Sequence, residues 1–245
     1  MKASHRRYPI GVGGLVLATS LWCSLALAQP LQGHAALIVD APTRSIFNEG
    51  WASAKVGDLV GLDAAATKLR AHAPDTPLLV YLQFERMRQS VDEVDVDTMT
   101  RFLATHRDWS FADRLERTWL RSLARRGAVA TVDAYLDQTG QQATDTPLRC
   151  WLAHHRVRTP PSTDSPAHTA LLTEIESLWT VPRSQHDACD RAFSWWRSQG
   201  MPSEAVAWSR FLMAIKNGER SLAGYLKRYL DTDLRIWADR WLMMQ

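Results

Sequence analysis

The chain has 245 residues, with 29 Lys and Arg against 26 Asp and Glu. The whole basic excess sits at the N-terminus, where Lys2, Arg6 and Arg7 meet no acidic residue before Gln29; the remainder carries 26 basic and 26 acidic residues. A neutral body lacks the positive footprint that nucleic acid demands, and its length suits one medium domain or an extended repeat array.

Residues 1–28 read as a secretory signal peptide: a basic head, an uncharged apolar run from Ile10 to Leu27, and Ala26-Leu27-Ala28 as a small-residue exit before Gln29-Pro30. A retained membrane anchor is the alternative. The small residues at Ala26 and Ala28, with no basic residue just after them, favour cleavage and no stable membrane span afterwards. Trp22 is too bulky to precede a lipoprotein Cys23, and Tyr8-Pro9 after Arg6-Arg7 favours the general export route over the twin-arginine one.

Residues 29–43 read as an extended segment, and 44–245 as helical throughout. No stretch alternates apolar and polar residues for long, so no strand is expected. Helical stripes recur instead: Phe111, Leu115, Trp119 and Leu123; Leu171, Leu172, Ile175, Leu178 and Trp179; Ala205, Trp208, Leu212 and Ile215; Leu222, Tyr225, Leu226 and Tyr229. Each is an apolar face that needs a neighbour. Gly57, Gly127, Gly200 and Gly218 each follow a run, where a left-handed C-terminal cap belongs. Asp58 is placed as an N-cap. Pro77, Pro147 and Pro202 are placed in first turns, with Thr76 and Thr146 as caps before two of them. Thr159 to Pro166 is an exposed Ser/Thr/Pro loop. Three helix ends share an aromatic residue, a short run and a Gly: Trp51 to Gly57, Trp119 to Gly127 and Phe193 to Gly200. This is the rhythm of an α-solenoid. The expected fold is all-α, a right-handed-type α-superhelix of about 11–12 short helices.

Once Cys23 leaves with the leader, Cys150 and Cys189 remain, and exported cysteines most often pair. Zinc is the alternative, since Cys150, His154, His155, His186 and Cys189 read C-x3-H-H…H-x2-C. His154-His155 otherwise read as a solvated helix face. The eleven Trp residues fit packing between elements.

Leu178-Trp179 followed by Arg183 to Trp196, with Leu148-Arg149-Cys150 upstream, resembles the U-shaped superhelical domain of the soluble lytic murein transglycosylases. Leu78 to Phe84, Ala112 to Gly127, and Phe211 to Gly218 with Leu222-Ala223 extend the resemblance over roughly Arg44 to Leu230. His186 stands where the family usually has proline, and the 159–166 loop departs from it. The resemblance implies a Cys150–Cys189 disulfide and a periplasmic protein. It also implies an enzyme family that breaks the bond between N-acetylmuramic acid and N-acetylglucosamine, leaving a 1,6-anhydro sugar without a cofactor.

The family's catalytic signature, a Glu-Ser pair followed by Gly-Leu-Met-Gln and Ala-Tyr-Asn-x-Gly, does not occur in order. Glu176-Ser177 and Leu242-Met243-Met244-Gln245 echo parts of it. Glu176 falls in a superhelical helix, and Glu174 and Glu176, two apart, point to different faces. No catalytic, cofactor-binding or metal residue is therefore assigned. The chain reads as a partial superhelical scaffold whose partners are glycan strands on its concave surface and a C-terminal catalytic domain missing from this sequence. The rival is a free-standing exported solenoid that binds a protein partner. On the scaffold reading, the stripe of Leu234, Trp237, Trp241 and Leu242, with Ile236, Met243 and Met244 beside it, lacks a covering helix and is left partly exposed.

Overall fold

The computed structural model describes residues 39–244. The leader at 1–28, Cys23 included, lies outside the described residues. The first helix, α1 (Ala41–Val56), begins inside the segment read as extended, so any extended chain ends by Asp40. Pro42 explains the early start, because a proline suits the first turn of a helix.

The helices continue as α2 (Leu59–His72), α3 (Leu78–Gln89), α4 (Val96–Thr105), α5 (Ala112–Arg125), α6 (Val129–Thr139), α7 (Thr146–Arg156) and α8 (Pro166–Trp179). A short 3-10 turn, Asp187–Cys189, leads into α9 (Asp190–Ser198), then α10 (Glu204–Lys216) and α11 (Arg220–Leu226). A second 3-10 turn, Lys227–Tyr229, precedes α12 (Thr232–Met243). No strand occurs among the described residues. Alternate helices touch in series, α1 with α3, α3 with α5, α5 with α7 and α7 with α9. The intervening α2, α6 and α8 pack on their chain neighbours. Contacts that run only between near neighbours make a solenoid.

Carboxylate and hydroxyl caps set the starts. Asp58, Asp95, Asp145 and Asp231 accept from the backbone N–H three residues on, at 2.8–2.9 Å. Asp145, not Thr146, caps α7, and Pro147 falls in its first turn. Thr76 is not the cap of α3, where Pro77 takes that position without a side-chain bond. Pro202 lies outside α10, which Ser203 caps. Pro166 is the first residue of α8, with Ser165 as cap, so the loop is one residue shorter than its composition suggests. The four expected glycine caps all have positive φ, +75° at Gly57 and +85° at Gly127 among them.

Two stripes bury as their spacing predicts. Phe111, Leu115, Trp119 and Leu123 are buried, and so are Leu171, Ile175, Leu178 and Trp179. The α10 stripe is rotated: Ala205 and Leu212 are exposed, and Ala207, Arg210, Phe211, Ala214 and Ile215 face the core. A buried arginine broke the apolar pattern and drew the reading to the next ladder. The α11 stripe slips by one residue, to Ala223, Leu226 and Leu230, leaving Tyr225 exposed and Leu222 and Tyr229 half-buried.

The core falls into three clusters. One lies within α1–α3, around Leu62, Leu69 and Leu82. The second runs from α3 to α7, around Met99, Leu115 and Trp119. The third runs from α7 to α12, around Trp179, Trp196 and Phe211. α3 and α7 each give residues to two clusters, and Trp151 packs against both of those that meet at α7. These two helices are the joints of the stack.

Candidate functional site

The α7 joint holds the residues that sequence reasoning singled out. Cys150 faces the third cluster, and the 3-10 turn at Asp187–Cys189 packs onto α7. Cys150 and Cys189 form a disulfide, with Cα atoms 4.5 Å apart and both residues fully buried. Both thiols are thereby used, and the zinc alternative loses its sulfur ligands. Across 39 residues of separation, the chain-entropy estimate gives roughly 4 kcal/mol of stabilisation.

His154 and His155 are not on a solvated face. Both are half-buried, because α7 is flanked by α5 on one side and by α8 and α9 on the other. The His155 ring packs over Gly127, where an added Cβ would lie 3.2 Å from it. Burial holds the His154 imidazole below its usual range, and His155 and Arg191 nearby add to the shift. His186 caps the 3-10 turn, its Nδ1 accepting from the Ala188 N–H at 3.0 Å.

A groove of about 800 Å3 runs between α6 and α8 along α7, past Asp133, Gln141, Leu152 and Arg156. A second hollow of about 520 Å3 continues it towards Pro161, sharing Arg156 and Glu174. Arg149 spans the groove floor and grips Glu174 with two bonds, Nε at 2.7 Å and Nη2 at 2.9 Å. The carboxylate holds the guanidinium above its usual pKa. Arg156 donates to Asp133 at 2.7 Å. Such paired arginines lock α7 to its neighbours, and the planar fork suits that role.

This geometry decides what Glu174 and Glu176 can do. Both oxygens of Glu174 accept from Arg149, which commits the carboxylate to an ion pair between α7 and α8. Ser177 is held in the same knot, accepting from Arg149 at 2.6 Å and donating to the Glu174 carbonyl at 2.7 Å. Glu176 is half-buried and lines neither hollow. A glycosidase needs two carboxyl groups flanking one bond; these two point apart along one helix. Of the Glu-Ser pair, Ser177 thus belongs with Glu174 to a helix-to-helix fastening on Arg149.

Two groups escaped the sequence reading. Buried Glu116 accepts from the Tyr135 hydroxyl and lies 3.5 Å from Arg107 Nη2. Burial, then the adjoining carboxylate, pushes the Tyr135 phenol upward, so it stays protonated as a donor. Arg210 is buried too. A Glu or Arg inside a helix gives no sign in sequence of which way it points. At the C-terminal end, Trp237 is 54% and Trp241 40% exposed, and Ile236, Met243 and Met244 lie open beside them. That apolar face is where the spacing put it. Trp237, Arg240, Trp241, Met243 and Met244 bound a hollow of about 430 Å3.

Among the described residues no group of three His, Cys, Asp or Glu is arranged for a metal ion, and no helix is long and apolar enough to cross a membrane.

No family model matches the chain. It is 24% identical over 164 residues to the soluble lytic murein transglycosylase of Escherichia coli strain K12, covering 67% of this chain and 24% of that protein. The chain thus spans about a quarter of the length of the curated relatives it matches. The crystal structure of the 70 kDa soluble lytic transglycosylase of Escherichia coli superposes with a TM-score of 0.64 at 20% identity, covering 83% of this chain and 31% of the other. An inactive mutant of the lytic transglycosylase Slt from Pseudomonas aeruginosa superposes with a TM-score of 0.62 at 27% identity, covering 76% and 28%. By sequence the chain is a relative of the soluble lytic murein transglycosylases, and it shares their all-helical fold.

Proposed function

We propose that this helical stack is the non-catalytic superhelical scaffold of an exported peptidoglycan lytic transglycosylase, acting in the periplasm. The observation that carries the proposal is a likeness in sequence to soluble lytic murein transglycosylases that runs through two thirds of the chain and coincides with a likeness in fold. In this role the stack holds a catalytic domain and guides glycan strands, while the break between N-acetylmuramic acid and N-acetylglucosamine is made elsewhere. Its build supports that division of labour. Ser177 of the pair that echoes the catalytic signature and the neighbouring Glu174 fasten α8 to α7 through Arg149, and a disulfide and paired arginines stiffen the α7 joint.

The test is incubation of the purified, exported chain with intact peptidoglycan, followed by chromatography of the soluble products. The expected result is no release of anhydro-muropeptides by the chain or by its Glu176→Gln variant. Release by the chain that the variant abolishes would contradict the scaffold role.

A second reading, an exported solenoid that binds a protein partner, draws on the open face of Trp237, Trp241 and Met243. Exposed apolar patches of this kind mark association surfaces. Capture of a partner that competes for this face, in a chain that does not associate with peptidoglycan, would favour it.

A further inference from the structure

Arg210 sits on α10 with 4% of its surface exposed. Its guanidinium lies over the Trp179 ring, 4.3 Å from the ring centre. Nε donates to the Val181 carbonyl and Nη2 to the Arg183 carbonyl, both at 3.1 Å. These bonds pin the connection between α8 and α9. They use two of the five N–H groups a guanidinium carries, and Nη1 has no partner among the described residues. More telling is the charge: no described carboxylate lies within ion-pair range of it. Both buried carboxylates among the described residues have a counter-charge in range, Arg88 for Glu85 and Arg107 for Glu116. Pinning two carbonyls needs donors but no charge, and a buried charge without a counter-ion is costly. Burial lowers the guanidinium only to about 10, so it stays protonated at neutral pH.

A hollow of about 400 Å3 opens onto this group between α9, α11 and the connection that follows α8. Arg197, Ser184 and Ser221 reach its rim with charge and hydroxyl donors, and Trp179, Phe193 and Tyr225 wall it. Gln185 is committed elsewhere, donating to the Leu178 carbonyl at 2.6 Å. Asp190, on the exposed rim, is the single acidic residue of the lining, so two arginines face one carboxylate.

We propose that this hollow is an anion subsite that takes a carboxylate, with Arg210 as the buried counter-charge and Arg197, Ser184 and Ser221 as the rim donors. The aromatic walls favour a carboxylate carried on an organic body over a bare inorganic ion. The proposal rests on the scaffold role argued above. In peptidoglycan the carboxylate comes from one of two sources, the stem peptide or the lactyl group of a muramic acid free of peptide.

The experiment is titration of the full exported chain with three probes: a free stem tetrapeptide, N-acetylmuramic acid, and chitobiose, which has no carboxylate. Heat of binding and Trp fluorescence report binding, and the melting temperature reports linkage. At least one of the two carboxylate probes should bind saturably and raise the melting temperature, and the tighter one names the source. Chitobiose should do neither. Ser221→Glu sets a carboxylate on the exposed rim and should abolish binding with little change in melting temperature. Arg210→Lys keeps the charge but loses the fork, and should weaken binding at least tenfold. Because that variant also loosens the pinned connection, Ser221→Glu decides. Failure of both carboxylate probes, or undiminished binding by Ser221→Glu, would overturn the subsite. The two proposals fail separately. Carboxylate binding by a chain that ignores intact peptidoglycan would leave the subsite standing and contradict the scaffold role. Peptidoglycan association with no carboxylate binding would do the reverse.

Discussion

At the scale of single residues, Asp145 joins two tasks. It caps α7 by accepting from the Leu148 N–H at 2.9 Å and it accepts from Arg121 Nε at 2.7 Å, tying α7 to α5. Burial works to raise its pKa, but the Arg121 guanidinium and the Leu148 N–H outweigh it and hold the carboxyl below the usual 3.8. A depressed carboxyl adds stability that is complete above its unfolded pKa and is lost as pH falls through the folded one. Asp145→Ala should therefore cost about 1–2 kcal/mol at neutral pH. Denaturant titrations should show the gap to the parent closing as pH falls below 3.8. Asp145→Asn, whose amide oxygen still caps, should lose less. A gap that does not change with pH would mean that the charge contributes nothing. The sequence did not reveal this residue, because Thr146 beside it is an equally good cap by type. Cys150 and Cys189 were legible as a pair, since the expectation of export favours a disulfide over the zinc alternative and the family resemblance implies the same bridge. The burial of His154 and His155 was not, because α7 is covered on one flank by α5 and on the other by α8 and α9, a packing that the sequence does not spell out.

At the scale of elements, two helical glycines give opposite expectations. A Cβ on Gly50 of α1 would lie 2.9 Å from the Ala65 Cβ of α2 and 3.0 Å from Leu82 of α3. Ala65 has nowhere to move, so Gly50→Ala should force the helices apart. Overpacking of roughly 1–3 kcal/mol outweighs the helix-propensity gain of about 1 kcal/mol. Gly224 of α11 has open space where a Cβ would go, with no atom within 4 Å. Gly224→Ala should stabilise by about 0.5–1 kcal/mol. Melting curves of the two variants should shift in opposite directions. The α12 face makes a second case. With Trp237 and Trp241 exposed over one side, the chain should self-associate at high concentration. Replacing both with Glu should return the sedimentation profile to monomer, and no change would show that the face is not sticky. The period of α5 and α8 was readable because an unbroken apolar ladder runs along each, Phe111 to Leu123 and Leu171 to Trp179. That of α10 was not, since the positively charged Arg210 stands at the centre of its buried face.

At the scale of the whole molecule, the sequence shows repeated helical hairpins clearly and their assembly only in outline. Glycine breaks, aspartate caps and four-residue stripes all belong to single helices, and local rules govern them. Which helices meet depends on contacts between α1 and α3 or between α5 and α7, for which the sequence carries no pattern. The grooves along α7 and the hollow at Arg210 arise only from that assembly, so no spacing could announce them. Joints at α3 and α7 divide the core into three clusters, as expected of a stack whose units touch their neighbours alone. A stack fastened at α7 by a disulfide and by the Arg149–Glu174 and Arg156–Asp133 pairs fits the proposed part that holds and guides. The most direct measurement is sedimentation of the purified chain with intact peptidoglycan, scored for both bound protein and soluble sugar products. A scaffold should pellet with the peptidoglycan and leave no anhydro-muropeptide in solution. A chain that stays wholly in the supernatant, or one that pellets and releases anhydro-muropeptides by itself, would contradict it.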